Sequence, residues 1–156
     1  MGLDYTIYLT IKNANTGVTE FREDVAYWRK CFAISKGLHG LFEEEAKHTN
    51  EKYQDTFNAI CSVTVVDTVI DYIYKHLIDP LNSNIWDSSV WSELEVRDTT
   101  IHNLAHLMAL KHWIGDRDNT EALELAMYEH NDPEWLETLL RNPDKYQVFI
   151  ESEYSY

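Results

Sequence analysis

From Thr100 to Ile114 the chain carries Ile101, Leu104, Ala105, Leu107, Met108, Ala109, Leu110, Trp113 and Ile114, which leave hardly any angle of a helical wheel polar. A helix that is apolar all round is stable only when other elements surround it. The segment Thr100–Trp113 therefore predicts a buried helix, capped by Asp98 or Thr99 and ended by Gly115, and the rest of the chain must supply its shell. A chain of 156 residues suffices for one such shell and for one domain, residues 1–156, since a domain of this size buries roughly two thirds of its unfolded surface. With 44% hydrophobic and 13% aromatic residues the chain has too much apolar mass to stay disordered.

The flanking segments fill in that shell. Tyr5, Ile7, Leu9 and Ile11 alternate with Thr6, Tyr8 and Thr10, the pattern of a half-buried strand, and Asn13–Gly17 reads as a turn. Thr19 offers a cap for a helix from Glu20 to about Ser35, because Phe21, Val25, Trp28 and Phe32 recur at helical spacing, with Gly37 or Gly40 to end it. Leu41–Gln54, with Glu43-Glu44-Glu45, reads as a connector or helix end, and Phe57–Val63 as a short strand. Thr64-Val65-Val66-Asp67 resembles a capping box that opens a helix striped by Val66, Ile70, Ile73 and Leu77 and closed at Asp79-Pro80. Asn82–Asn84 is loop, and Ile85–Val96 reads equally as helix or strand. Helices follow from Thr120 to His130 and after Asp132-Pro133, and Tyr146–Ile150 is a strand by composition. The expected fold is α+β: a mainly helical single domain, roughly four or five helices around the buried one, with a small sheet formed by the terminal strands Tyr5–Ile11 and Tyr146–Ile150.

Charge narrows the choice of partner. The formal net charge is −14, and no window gathers Lys and Arg beyond Arg29-Lys30, so direct nucleic-acid binding and docking on an anionic membrane are both disfavoured. Cys31 and Cys61 lie in no metal or redox spacing and read as free thiols. No apolar run approaches the 18 or so residues of a membrane span, and Met1-Gly2-Leu3-Asp4 lacks the features of a signal peptide. A soluble, cytoplasmic protein is expected. The acid is concentrated towards the C-terminus, where residues 93–156 balance at −9 against −5 for residues 1–92. Glu121, Glu124, Glu129, Asp132, Glu134 and Glu137 fall on two neighbouring predicted helices and form a candidate partner-binding face.

Candidate chemistry is sparse. His102 and His106 stand four apart on one face of the apolar helix, as the ligands of zinc helices do, but His-Asn-Leu-Ala-His lacks the Glu that a metalloprotease uses as base. A third ligand would have to come from Asp67, Asp71, His76 or Asp79, and the favoured reading is a pair of satisfied core histidines, with no catalytic metal and no cofactor. Asp116-Arg117-Asp118-Asn119 lacks the glycine and closing Glu of a calcium loop and reads as a turn capping the next helix. Phosphate loop, nucleophile elbow and HExxH are all missing.

The start Met1-Gly2-Leu3-Asp4-Tyr5, the segment Val25-Ala26-Tyr27-Trp28-Arg29-Lys30 with Ala33-Ile34 after it, and the end Tyr154-Ser155-Tyr156 resemble a group of small phage- and prophage-encoded proteins of uncharacterised function. The resemblance covers about the first 35 residues well and the remainder in outline. Those proteins carry Asn and His where this chain has Phe32 and Ser35, so a polar site built on that pair would be lost here. Together with the acidity and the missing catalytic motifs, the resemblance implies a phage or mobile-element protein that acts in the host cytoplasm. The expected activity is to bind and inhibit a host protein with a basic surface, as anti-defence and anti-CRISPR proteins do, by occupying a groove meant for nucleic acid. The alternatives are a metal-dependent hydrolase built on His102 and His106, and a structural or housekeeping phage protein whose acidity only keeps it in solution.

Overall fold

The computed structural model describes residues 4–29, 37–42, 47–51, 54–79, 93–128 and 144–155. Five strands, β1 (Asp4–Asn13), β2 (Thr19–Arg29), β3 (Lys47–Glu51), β4 (Gln54–Ile60) and β5 (Tyr146–Ser155), form one antiparallel sheet in the order β2-β1-β5-β4-β3. The helices are α1 (37–42), α2 (Val63–Ile73), which continues as a π-helical turn over Tyr74–Ile78, α3 (Glu93–Gly115) and α4 (Thr120–Ala126).

The alternation in β1 settles which side faces the core. Tyr5, Ile7, Leu9 and Ile11 are at most 1% exposed, and they join Trp28, Ile150, Val66, Ile73, Leu107, Leu110, Trp113 and Leu123 in one cluster between sheet and helices. Each such side chain contributes roughly 1.5–3 kcal/mol relative to exposure. The β1–β2 hairpin is closed by Asn13, whose side-chain oxygen accepts from the N–H of Asn15 (3.0 Å) and of Thr16 (3.2 Å). Gly17 completes the turn at φ 72°, a conformation that costs a side-chain-bearing residue energy.

The terminal strands do pair, from Asp4 opposite Ser155 to Asn13 opposite Tyr146, but the mainly helical domain with a small sheet of terminal strands does not form. They are the middle of a sheet with β2 on one side and β4 and β3 on the other. The expected helix from Glu20 is strand β2 as far as Arg29, Thr19 is its first residue rather than a cap, and residues 30–36 lie outside the described residues. The cause is a β-bulge: Ile7 lies opposite Ala26 but Tyr8 opposite Asp24, so Val25 is an extra residue in the ladder. The bulge shifts the inward face by one position, which leaves Phe21, Val25, Ala26 and Trp28 buried and copies helical spacing in a strand.

Other boundaries move for local reasons. Gly37 and Gly40 do not end a helix but lie in α1, and a Cβ on Gly37 would collide with the Tyr72 hydroxyl. Part of the expected connector Leu41–Gln54 is β3, and the strand expected at Phe57–Val63 is β4, ending at Ile60. Helix α2 is capped by Ser62, whose side chain accepts from the Val65 N–H, while Thr64 lies inside the helix. Asp98 and Thr99 lie within α3, which begins at Glu93, and the helix expected from Thr120 to His130 ends at Ala126. The segments at Glu43-Glu44-Glu45, Asn82–Asn84, residues 85–92 and Asp132-Pro133 lie outside the described residues. Among the described residues no helix is long and apolar enough to cross a membrane.

The second face of the sheet is polar. Glu151 and Glu153 are 7% and 5% exposed, and Arg22 on β2 reaches both, at 3.1 and 2.6 Å. Lys12 adds 3.5 Å to Glu151, Tyr8 and Thr56 donate to Glu153, and the Arg22 guanidinium lies 3.6 Å from the Tyr8 ring centroid. Two nearly buried carboxylates are tolerated because charge-assisted hydrogen bonds replace their water.

Candidate functional site

Helix α3 is not surrounded as its composition predicts. Thr100, Asn103, Leu104, His106, Leu107, Leu110 and Trp113 are buried, whereas Ile101 is 55% and Met108 40% exposed and His102, Ala105 and His112 also face outwards. An apolar wheel shows that a helix can be buried, but neighbouring elements decide which half is. On one flank of the bare half a groove of about 420 Å³ runs between Tyr74 and Ile78 and the α3 residues Arg97, Ile101, Leu104, Ala105 and Met108.

The other flank is polar, and Asn103 anchors it. Among the described residues strand β2 is an edge strand, so Tyr27 presents an N–H and a C=O that no neighbouring strand there pairs. The Asn103 side chain takes both: its oxygen accepts from the Tyr27 N–H at 3.1 Å and its amide donates to the Tyr27 carbonyl at 2.8 Å. The Trp28 indole N–H adds a 3.4 Å bond to the Thr100 hydroxyl. Beyond α4 the chain bends, and the Tyr128 N–H donates to the Asp24 carbonyl at 3.2 Å, holding the bend to the same edge. The Tyr128 hydroxyl donates to the Asn103 oxygen.

This bend sets the Tyr128 ring against both histidines. It stacks on His106 with centroids 4.5 Å apart and planes 9° apart, and meets His102 edge-on at 5.0 Å. The two imidazole Nε2 atoms are 3.1 Å apart. Burial lowers the His106 pKa from its ordinary value, the Ala126 carbonyl opposes the shift, and the neighbouring His102 adds to it. Burial, and then the Asp24 charge, push the Tyr128 hydroxyl up to about 12. Burial thus favours the neutral forms of His106 and Tyr128, and the cluster is open to solvent on the His102 side.

The acidic candidates separate. Glu121 and Glu124 lie exposed on α4, whereas Glu129, Asp132, Glu134 and Glu137 lie outside the described residues. Asp116 and Asp118 join Glu121 and Glu124 as exposed carboxylates at the α3–α4 corner, where Asn119 caps α4 by accepting from the Ala122 N–H. Arg117 is the one cation within 116–126, and its guanidinium lies 4.4 Å from the Trp113 ring centroid. Among the described residues none of these four carboxylates forms an ion pair. Leu125, the residue after Glu124, is 62% exposed.

The expected histidine reading needs correction. His106 is a core residue but His102 is exposed, so the two are not a satisfied core pair. Of the nominated third ligands, Asp67 pairs with Lys111 at 2.6 Å and His76 stacks on Tyr72, and no group of three or more metal-binding side chains is assembled among the described residues. No motif or spacing marks Asn103 or Tyr128 in the sequence. An amide in the middle of an apolar helix is the one signal that could have marked Asn103, because such a residue needs a partner off the helix.

Another histidine, His39, has the contacts of a catalytic pair without the access. His39 Nδ1 lies 2.9 Å from the Ser152 hydroxyl, which lies 2.6 Å from the Tyr5 hydroxyl. Ser152 has no exposed surface, so this network joins α1 to the sheet and offers a substrate no approach.

Fold and site together define an acidic antiparallel α+β protein with one bare helix face and an anionic corner. Compared with protein-family models, with curated proteins and with solved structures, the chain matches none.

Proposed function

We propose that the protein acts by binding, without catalysis, a protein that presents a basic surface, and that it is a phage or mobile-element product directed at a host nucleic-acid-binding protein. The observation that carries this reading is the α3–α4 corner. Asp116, Asp118, Glu121 and Glu124 are exposed there, Leu125 is exposed next to Glu124 in the chain, and Arg117 lies over Trp113. Carboxylates at that density attract the Lys and Arg that line a phosphate-binding groove, raise the rate of encounter, and leave Leu125 as an apolar anchor once water is displaced.

Capture from host lysate, with the double variant Glu121→Lys/Glu124→Lys beside the native chain, tests the proposal. Exposed pairs are screened as the Debye length falls from about 10 Å at 0.1 M salt to about 3 Å at 1 M. A basic partner held by the native chain at low salt, released at high salt and captured at least about tenfold less by the double variant is the expected result. Equal capture by the two proteins, or a partner held undiminished at high salt, overturns it.

A further inference from the structure

We propose that His102 and His106 form a bidentate site for one divalent transition-metal ion of the class that prefers imidazole, namely Cu²⁺, Ni²⁺ or Zn²⁺. The site is independent of the binding reading above and has no catalytic role in it.

Geometry is the first argument. Residues four apart on a helix lie one turn above each other on the same face, and here the two Nε2 atoms are 3.1 Å apart. An ion at the usual metal–imidazole distance of about 2.1 Å from each would subtend an angle of about 95°, which suits two neighbouring positions of a square or octahedral sphere. Chelation by two ligands on one rigid helix loses little conformational entropy, because the backbone already fixes their spacing.

Rigidity on one side and access on the other make the second argument. His106 is 8% exposed and lies flat against Tyr128, whose hydroxyl is tied through Asn103 to the edge of β2. One ligand is therefore held in orientation by a stacked ring that does not itself bind the ion. His102 is exposed, so an ion can arrive from solvent and fill its remaining positions with water. Nitrogen ligands place the site with the later first-row metals, and Mg²⁺ and Ca²⁺, which demand oxygen, are excluded. The bonding order follows the general series, Cu²⁺ above Ni²⁺ and Zn²⁺.

The same 3.1 Å would arise if the two rings only shared a proton, and a titration separates the cases. Tag-free protein is titrated with NiCl₂ and with ZnCl₂ by calorimetry, in parallel with His102→Gln, His106→Gln and, as a control on the same helix, His112→Gln. The expected result is one ion per chain, at least about tenfold weaker binding in His102→Gln and in His106→Gln, no change in His112→Gln, and a melting temperature that rises with metal only where binding survives. His102 is exposed, so its variant reports on the site even if His106→Gln does not fold. No stoichiometric uptake, or uptake that His102→Gln leaves unchanged, overturns the site and leaves a shared proton as the meaning of the contact.

Discussion

Replacing Asn103 by alanine removes three hydrogen bonds at once: those to the Tyr27 N–H and C=O, and that from the Tyr128 hydroxyl. A typical bond contributes about 1 kcal/mol net, and more is lost when a buried group is left without a partner. Asn103 has no exposed surface, so water cannot easily replace it. Against this, alanine is the better helix former by about 0.5 kcal/mol. The expected loss is therefore about 2–3 kcal/mol. With a urea dependence of about 1–3 kcal/mol per molar for a domain of this size, the unfolding midpoint should fall by roughly 0.7–3 M with an unchanged slope. Tyr128→Phe removes only the third bond and keeps the ring on His106, so about 0.5–1 kcal/mol should be lost. Amide exchange adds a local readout, because the Tyr27 N–H loses its acceptor in Asn103→Ala and keeps it in Tyr128→Phe. A midpoint within about 0.3 M of the native protein, with the Tyr27 amide still protected, would refute the claim that Asn103 closes the free edge of the sheet.

Arg22→Met strips the cation from Glu151 and Glu153, whose side chains are 9% and 6% exposed; since Arg22 itself is partly solvated, chemical denaturation should show a loss of about 2–3 kcal/mol, below the full cost of breaking a buried pair. His106 titrates below its ordinary 6.5 in the folded chain because burial opposes its charge. The unfolded chain then takes up the proton first, so stability is complete above about pH 6.5 and falls as the pH drops through the folded pKa. Melting temperatures at pH 7.5 and 5.5 should differ more for the native chain than for His106→Gln, and an equal difference would exclude His106 as the cause. Burial pushes the Cys61 thiol up to about 12, so in a Cys31→Ser background a thiol reagent should label Cys61 only at the rate of unfolding. Labelling that is unaffected by mild denaturant would contradict that.

Part of the sheet was legible, where one rule acted alone. In β1 the period of two puts Tyr5, Ile7, Leu9 and Ile11 on the core side, where they lie, but the strand is not half-buried, because Thr6 and Thr10 on the other face are buried as well. In β2 the bulge at Val25 interrupts the same rule, and nothing in the local sequence separates the result from a helix, since the ladder that makes the bulge is formed with β1. Glu151 and Glu153 show the same limit. Two acids after Ile150 read as the end of a strand, yet β5 continues to Ser155 because Arg22, two strands away, holds both carboxylates. At the candidate site the spacing of His102 and His106 was visible, but the ring that orders them comes from Tyr128, beyond the next helix, and reaches them through a hydrogen bond to β2.

The acidity has two physical explanations, and they make different demands on placement. Solubility requires only that copies repel one another, and a formal charge of −14 does that wherever the carboxylates sit. The repulsion has work to do, because Ile101, Ala105 and Met108 leave an apolar strip on α3 that would otherwise favour association. Evenly scattered acids would serve equally well, and each would be more stable beside a cation than beside another acid. The α3–α4 corner does the reverse. It holds Asp116, Asp118, Glu121 and Glu124 exposed within nine residues of chain, followed by the exposed Leu125, and Arg117, the cation within the same stretch, lies over Trp113. Local capping accounts for two of the four, since Asp116 accepts from the Asp118 N–H and Glu121 lies in the first turn of the helix, whereas a partner's Lys and Arg would find all four exposed. That asymmetry is the argument for looking for the partner at α4 before looking along the strip on α3.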